Sequence, residues 1–194
     1  LITNTTMNMD RLVIKQILGN EQVTQYYVVS LIGKTLVLLI APINTIVISY
    51  LTKRKERLTR SQFGKAVLAG GGVSLVFFVA CQIGTPLFVW LFYRNLYESV
   101  KGIVTVVNLA QILGLFSAFL FILVLTFTDE RWQLWIQLAH FCILLVSSVL
   151  AARTYGMMGF AVASLGANSL RVAAVVILGI VKAGKDKGDR NADR

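Results

Sequence analysis

The chain has 194 residues, of which 56% are hydrophobic and only 14% are charged. Because soluble domains carry about 25% charged residues, this composition excludes an ordinary soluble domain and indicates an integral membrane protein. The net charge of +10 does not indicate a nucleic-acid partner, since membrane topology accounts for where the basic residues lie.

The first 20 residues are too short and too polar to form a separate domain. Within them, the segment MDRLVIKQILG ends at Gly19-Asn20, a pair that favours the end of a helix. We interpret residues 1–20 as the outer end of a truncated helix, so that the chain would be the C-terminal part of a longer protein. The alternatives are a helix lying on the outer surface of the membrane, and a translation start at Met7 or Met9.

Five stretches after this segment are nearly free of charge, and a helix needs about 20 apolar residues to cross a bilayer. They are too long and too uniformly apolar for the alternating strands of a membrane barrel. We therefore predict an all-α bundle over residues 21–183, followed by a basic tail at 184–194. The five predicted transmembrane helices are 23–51, 66–93, 102–128, 132–152 and 158–181.

The basic residues are distributed unevenly between the two predicted sides of the membrane. Six lie in the loop KRKERLTRSQFGK, five lie in KAGKDKGDRNADR at the C-terminus, and Arg131 follows the third span. The opposite side holds five, namely Arg11, Lys15, Arg94, Lys101 and Arg153. Twelve against five predicts an outside N-terminus and a cytoplasmic tail, because cytoplasmic loops are enriched in Lys and Arg.

Two cations, Lys34 and Arg171, fall inside predicted spans. Each costs roughly 2.5–3.5 kcal/mol near the bilayer centre unless it is solvated or paired. The sequence places every carboxylate, including Asp10, near an interface or in a loop. A water-filled cavity with an anionic ligand is therefore the predicted environment of both cations. Phosphate suits this site, because Arg presents a planar fork to phosphate oxygens and Lys supplies a point charge.

Side chains three or four positions apart share a helix face. This spacing groups Asn168 with Arg171 and Gln137 with His140, and it places Asn44 in the polar row of Lys34 and Asn108 in a polar row of the third span. The candidate ligand-binding residues, which we expect to line the cavity, are Lys34, Asn44, Asn108, Gln137, His140, Asn168 and Arg171. Structural alternatives stay open for three of them. Lys34 could extend toward the interface, Arg171 could bond to carbonyls of a neighbouring helix, and His140 could be a hydrogen-bonded interior residue. Cys81 and Cys142 have no partners at ligand spacing, so no metal or other cofactor is expected.

The segment MDRLVIKQILGNEQVTQYYVVSLIGKTLVLLIAPINTIVISYLTKR resembles the start of the C-terminal lobe of Wzx-type oligosaccharide flippases. These polysaccharide biosynthesis proteins belong to the MOP exporter superfamily. The shared features are an Asp-Arg near a helix end, Leu-Gly before a short linker, a Tyr opening the next helix, and a Pro-containing span that ends in a basic loop. The likeness is strongest over residues 9–65.

The resemblance implies one lobe of a twelve-helix transporter, consisting of a stub of helix seven and helices eight to twelve. It implies a bacterial cytoplasmic-membrane protein, not an enzyme, whose partners are membrane lipids and the missing N-terminal lobe. Its substrate would be an undecaprenyl-pyrophosphate-linked oligosaccharide for O-antigen, capsule or exopolysaccharide synthesis. The alternatives are a MATE-like exporter of drugs or metabolites, a membrane enzyme acting on prenyl phosphates, and an assembly subunit.

Overall fold

The computed structural model of the chain describes residues 2–53, 59–125, 128 and 130–183. This part of the chain is all-helical, which confirms the predicted fold class at that level. The tail at 184–194 lies outside the described residues, and so does the side chain of Asn44. The six helices are α1 (Ile2–Leu18), α2 (Asn20–Lys53), α3 (Arg60–Phe92), α4 (Arg94–Val100), α5 (Val104–Leu125) and α6 (Glu130–Lys182).

Helix α1 ends where the sequence predicts, at a glycine. Gly19 has φ = 97°, a left-handed conformation that glycine adopts without steric cost, and its N–H donates to the carbonyl of Ile14 at 3.2 Å. The chain then folds back, so that α1 contacts both α2 and α6. Met9, Val13 and Ile14 are buried on this packed face. Helix α1 is therefore part of the bundle.

Helix α5 lies at the centre of the bundle and contacts α2, α3 and α6. In its most apolar stretch of 18 residues, half of the residues are buried, whereas only 6% are buried in the corresponding stretch of α3. Helix α3 begins with a capping box between Thr59 and Gln62, and its large apolar side chains, such as Leu68 and Ile83, are mostly exposed. An apolar face of this extent is expected of a helix whose solvent is lipid.

Helix α6 folds back on itself at Gly156, where φ is 61° and ψ is −143°, a backbone conformation confined almost entirely to glycine. We call residues 130–155 the first arm and 157–182 the second arm. The imidazole of His140 in the first arm lies 3.1 Å from the amide of Asn168 in the second. A straight helix would hold them about 40 Å apart at 1.5 Å per residue, so the arms are antiparallel.

Within the residues that the structure describes, three helices are long and apolar enough to cross a membrane, namely Arg60–Phe92, Val104–Leu125 and Leu134–Lys182. This supports a membrane protein but meets the prediction of five separate spans only in part. The third candidate contains both arms of α6, because the connection between the predicted spans 132–152 and 158–181 is helical except at Gly156. Helix α3 starts at Arg60, six residues before the predicted span 66–93.

Candidate functional site

Lys34 is paired with a carboxylate, contrary to the prediction that none lies at its depth. Its ammonium forms an ion pair with Asp10 of α1, and the two side chains are only 19% and 11% exposed. The prediction placed Asp10 at an interface because the residue lies near the end of the chain. The fold-back of α1 at Gly19 instead brings it against α2. Lys34 therefore has a counter-ion within the protein and does not need an anionic ligand to balance its charge.

The ion pair lies close to a buried polar group formed by α2 and α6. The Tyr26 side chain is 3% exposed, and its hydroxyl interacts with Ser164 and lies within electrostatic reach of Asp10. The Tyr26 ring also packs edge-on against Phe160, with ring centroids 5.1 Å apart. This part of the bundle is packed, so we assign the Asp10–Lys34 pair first to holding α1, α2 and α6 together.

Two hydrogen-bonded side-chain pairs join the arms of α6 and contain four of the predicted site residues. The His140 ring nitrogen Nε2 lies 3.1 Å from Oδ1 of Asn168, and Nη2 of Arg171 donates to Oε1 of Gln137 at 2.9 Å. The two pairs are about one helical turn apart, because the residues on each arm are separated by three positions. Asn168 also donates from Nδ2 to the Ala110 carbonyl of α5 at 2.9 Å. We call these four side chains the arm site.

Of the two cations predicted inside spans, Lys34 has a carboxylate partner, whereas Arg171 has none among the described residues. Its guanidinium lies over the Phe121 ring at 5.4 Å and donates to the side chain of Gln137, not to a carbonyl of another helix as the alternative proposed. Its Nε is buried without a hydrogen-bond partner, and the same is true of Nδ1 of His140. The arm site therefore has an uncompensated positive charge and two unpaired polar atoms.

Asn108 does not line a cavity as predicted. It is fully buried between α3 and α5, and its Nδ2 donates to the Cys81 carbonyl at 3.1 Å and to Oε1 of Gln82 at 3.0 Å. Its Oδ1 accepts from the Thr85 hydroxyl at 3.2 Å. The Gln82 amide also donates to the Thr105 hydroxyl at 2.9 Å. These bonds occupy the Asn108 amide and indicate a structural role between two helices.

Replacing Asn108 by Ala should therefore lower stability and leave ligand binding unchanged. We expect a loss of about 1–2 kcal/mol, because a hydrogen bond between membrane helices averages about 0.6 kcal/mol and several are lost. Unfolding of the detergent-solubilised protein measures this loss, with the exposed Asn95 of α4 replaced by Ala as the control. Loss of anion binding with unchanged stability would restore Asn108 to the ligand site.

The structure thus separates the predicted site residues into different contacts. Lys34 contacts Asp10, Asn108 joins α3 to α5, and His140, Asn168, Gln137 and Arg171 form the arm site. Among the described side chains, no polar contact links Lys34 to Arg171. Asp10 was not predicted to be the partner of Lys34. The apolar residues Met9 and Val13 on the same side of α1 are buried, and their spacing is typical of a helix that packs against others.

No protein-family model, no curated protein and no solved structure matches this chain. The resemblance to oligosaccharide flippases therefore rests on the sequence features given above.

Proposed function

We propose that this protein is a membrane transporter that moves an anionic, lipid-linked oligosaccharide across the bacterial cytoplasmic membrane by alternating access. The observation that carries the proposal is Arg171, a half-buried guanidinium in an apolar helix without a carboxylate partner among the described residues. An intramembrane cation is costly unless it is solvated or paired with a counter-ion. A pyrophosphate group supplies that counter-ion, and the guanidinium fork matches its oxygens.

In this proposal, α2, α3, α5 and the two arms of α6 are the five membrane-spanning segments. The N-terminal end faces outward and the basic tail lies in the cytoplasm, as the positive-inside asymmetry predicts. The exposed apolar side chains of α3 and α6 then face lipid or a second lobe. The resemblance to the C-terminal lobe of the flippases supports the same arrangement, with an N-terminal lobe of the same protein completing the cavity.

The arm site binds the pyrophosphate and the first sugars. Arg171 neutralises phosphate charge, while Gln137 and Asn168 exchange their bonds within the arm site for bonds to phosphate or sugar hydroxyls. Asn44 of α2 also contributes. Lys34 contributes only after it leaves Asp10, because an ammonium already paired with a carboxylate has little affinity for a second anion. No covalent chemistry is required, so the protein is not an enzyme in this proposal.

Asp10 favours a second candidate, a MATE-like exporter of cationic compounds. Such an exporter requires a carboxylate within the membrane bundle, and Asp10 is 9% exposed between α1 and α2. Its charge is compensated by Lys34, however, whereas the charge of Arg171 is not. An anionic substrate is therefore the better match to the net charge of the bundle interior.

Replacing Arg171 by Ala in the full-length protein should strongly reduce surface polysaccharide while leaving the amount of protein in the membrane normal. Arg171→Lys should retain part of the transport, because it keeps the charge but loses the planar fork. The loss for Arg171→Ala should be about tenfold to a hundredfold, since hydrogen bonds to charged groups contribute about 1.5–3 kcal/mol. Polysaccharide on the cell surface, measured against the quantity of membrane protein, is the readout.

Arg153, an exposed arginine of the same helix, provides the matched control for this experiment. Arg153→Ala should leave surface polysaccharide unchanged. If Arg171→Ala also leaves it unchanged, Arg171 has no part in transport and the anionic-substrate proposal is wrong. If export of a cationic drug depends on Asp10 instead, the second candidate takes its place.

A further inference from the structure

The orientation of the Asn168 amide is fixed by its two partners. Its Nδ2 donates to the Ala110 carbonyl at 2.9 Å, and a carbonyl oxygen can only accept. The nitrogen of the amide must therefore face Ala110, and the oxygen, Oδ1, must face Nε2 of His140 at 3.1 Å. Exchanging the two amide atoms would place two oxygens against each other, so the network admits one assignment.

This orientation determines the tautomer of His140. Because Oδ1 of Asn168 accepts, Nε2 of His140 carries the hydrogen, and a neutral imidazole then has a lone pair at Nδ1. A charged imidazolium would add a second N–H that has no acceptor, within electrostatic reach of the Arg171 cation. His140 is therefore neutral. The residue is only 5% exposed. Its Nδ1 is a buried acceptor to which no group donates.

Arg171 presents the complementary unpaired atom. Its Nη2 is occupied by Gln137, while its Nε–H is a buried donor without an acceptor. The arm site therefore offers one buried unpaired acceptor, one buried unpaired donor and one positive charge. Buried polar groups are almost always paired, so two unpaired groups of opposite type within one site are the signature of a ligand that both donates and accepts.

We propose that the arm site selects a phosphate group that carries a hydroxyl hydrogen or has a hydroxyl group next to it. The phosphate oxygen accepts from Nε of Arg171, and the hydroxyl donates to Nδ1 of His140. This inference rests on the proposed function only for the role of Arg171 as the cation that binds the substrate. A fully deprotonated oxyanion such as sulfate has no hydrogen for His140 and leaves that acceptor unpaired.

The hydroxyl has two chemical sources, which probes can separate. One is a protonated phosphate oxygen, present in a phosphate monoester only below its second pKa of about 6. The other is a sugar hydroxyl adjacent to the phosphate, present at any pH. Both atoms of the site are buried, so the ligand reaches them only when the helices move apart, as alternating access requires.

The experiment uses the single histidine of the chain, whose ring nitrogens give unambiguous NMR signals after ¹⁵N-histidine labelling of the full chain in detergent. Without ligand, Nε2 should carry the hydrogen and Nδ1 should not. Methyl phosphate at pH 5.5 should shift the Nδ1 signal and bind at least tenfold more tightly than sulfate. Glucose 1-phosphate should do the same at pH 8, where methyl phosphate should not, if the sugar hydroxyl is the donor.

Two variants test the role of His140 independently of overall folding. His140→Ala should reduce phosphate binding to the level of sulfate, whereas Arg153→Ala should change neither. Asn168→Ala should release the tautomer, so that both nitrogens carry the hydrogen part of the time and the preference for phosphate falls. This second variant keeps the imidazole in place and therefore tests the proposal even if His140→Ala fails to fold.

Equal affinity for sulfate and the phosphates overturns the inference, and so does a hydrogen on Nδ1 in the protein without ligand. Absence of binding by every anion also overturns it, because the two unpaired atoms would then be satisfied by water alone. Selective phosphate binding with normal surface polysaccharide in Arg171→Ala cells would instead reject the proposed function and keep the site. Equal binding of phosphate and sulfate, together with loss of surface polysaccharide in Arg171→Ala cells, would support the proposed transport and reject the selectivity.

Discussion

Replacing Asp10 by Ala should destabilise the protein by about 3–5 kcal/mol, because it leaves the ammonium of Lys34 buried without its counter-ion. Both side chains are mostly buried, at 11% and 19% exposure, so water cannot solvate the remaining charge as it would at a surface. Helix α1 should also lose its anchor on α2. Chemical unfolding of the purified protein in detergent, followed by helical circular dichroism, measures the change.

The exposed pair of Glu98 and Lys101 provides a matched control, since these side chains are 75% and 57% exposed. Glu98→Ala should cost less than about 1 kcal/mol, as exposed ion pairs do. The double variant Asp10→Leu with Lys34→Met should recover most of the lost stability, because apolar replacement of a buried ion pair is often neutral. A loss of stability below 1 kcal/mol for Asp10→Ala would contradict the buried pair and would mean that Asp10 does not balance the charge of Lys34.

Helix content and several helix ends could be predicted from the sequence because they depend on local properties. Long apolar runs specify helices when the backbone must satisfy its own hydrogen bonds. Gly19 ends α1 because glycine adopts the left-handed conformation required there without steric cost. The break between the predicted spans 132–152 and 158–181 similarly indicated the reversal of α6. The continuity of that helix up to Gly156 could not be read, since both a loop and a helix tolerate the residues between these spans.

The pairing of Asp10 with Lys34 could not be predicted because it depends on a non-local event. The depth of Asp10 was inferred from its position along the chain, and that inference fails when α1 folds back. Asn108 was misassigned for a different reason. Helical spacing shows which residues share a face, but not whether that face meets water or another helix, and α3 supplies the partners of Asn108.

The arm site was more accessible to sequence reasoning. Helical spacing correctly grouped Gln137 with His140 and Asn168 with Arg171. Their pairing follows from the hairpin, since a step of three residues along one arm is matched by a step of three in the opposite direction along the antiparallel arm. What the sequence could not give is the orientation of the Asn168 amide, which depends on the Ala110 carbonyl of α5. The chemical character of the site therefore depends on three helix segments and not on one motif.

A second large effect is expected at Gly159, three residues after the reversal of α6 at Gly156. A β-carbon at this position would overlap the backbone carbonyl oxygen of Ala151 in the first arm, and would lie 2.8 Å from Cβ of Tyr155. A backbone carbonyl cannot rotate away as a side chain does, so the arms must separate. Gly159→Ala should therefore cost about 3 kcal/mol or more, at the upper end of the range for overpacking.

Gly166 lies in the same arm and isolates this steric effect from helix propensity. A β-carbon there meets no atom within 4 Å, so Gly166→Ala should be neutral or stabilising by up to about 1 kcal/mol. Separation of the arms in Gly159→Ala should also lengthen the bond between His140 and Asn168, which the single histidine reports by NMR as a mixture of tautomers. Equal stability of the two variants, with an unchanged His140 signal, would mean that the arms are not held together at Gly159. The site chemistry inferred for His140 would then lack its structural support, because its tautomer depends on the close approach of the two arms.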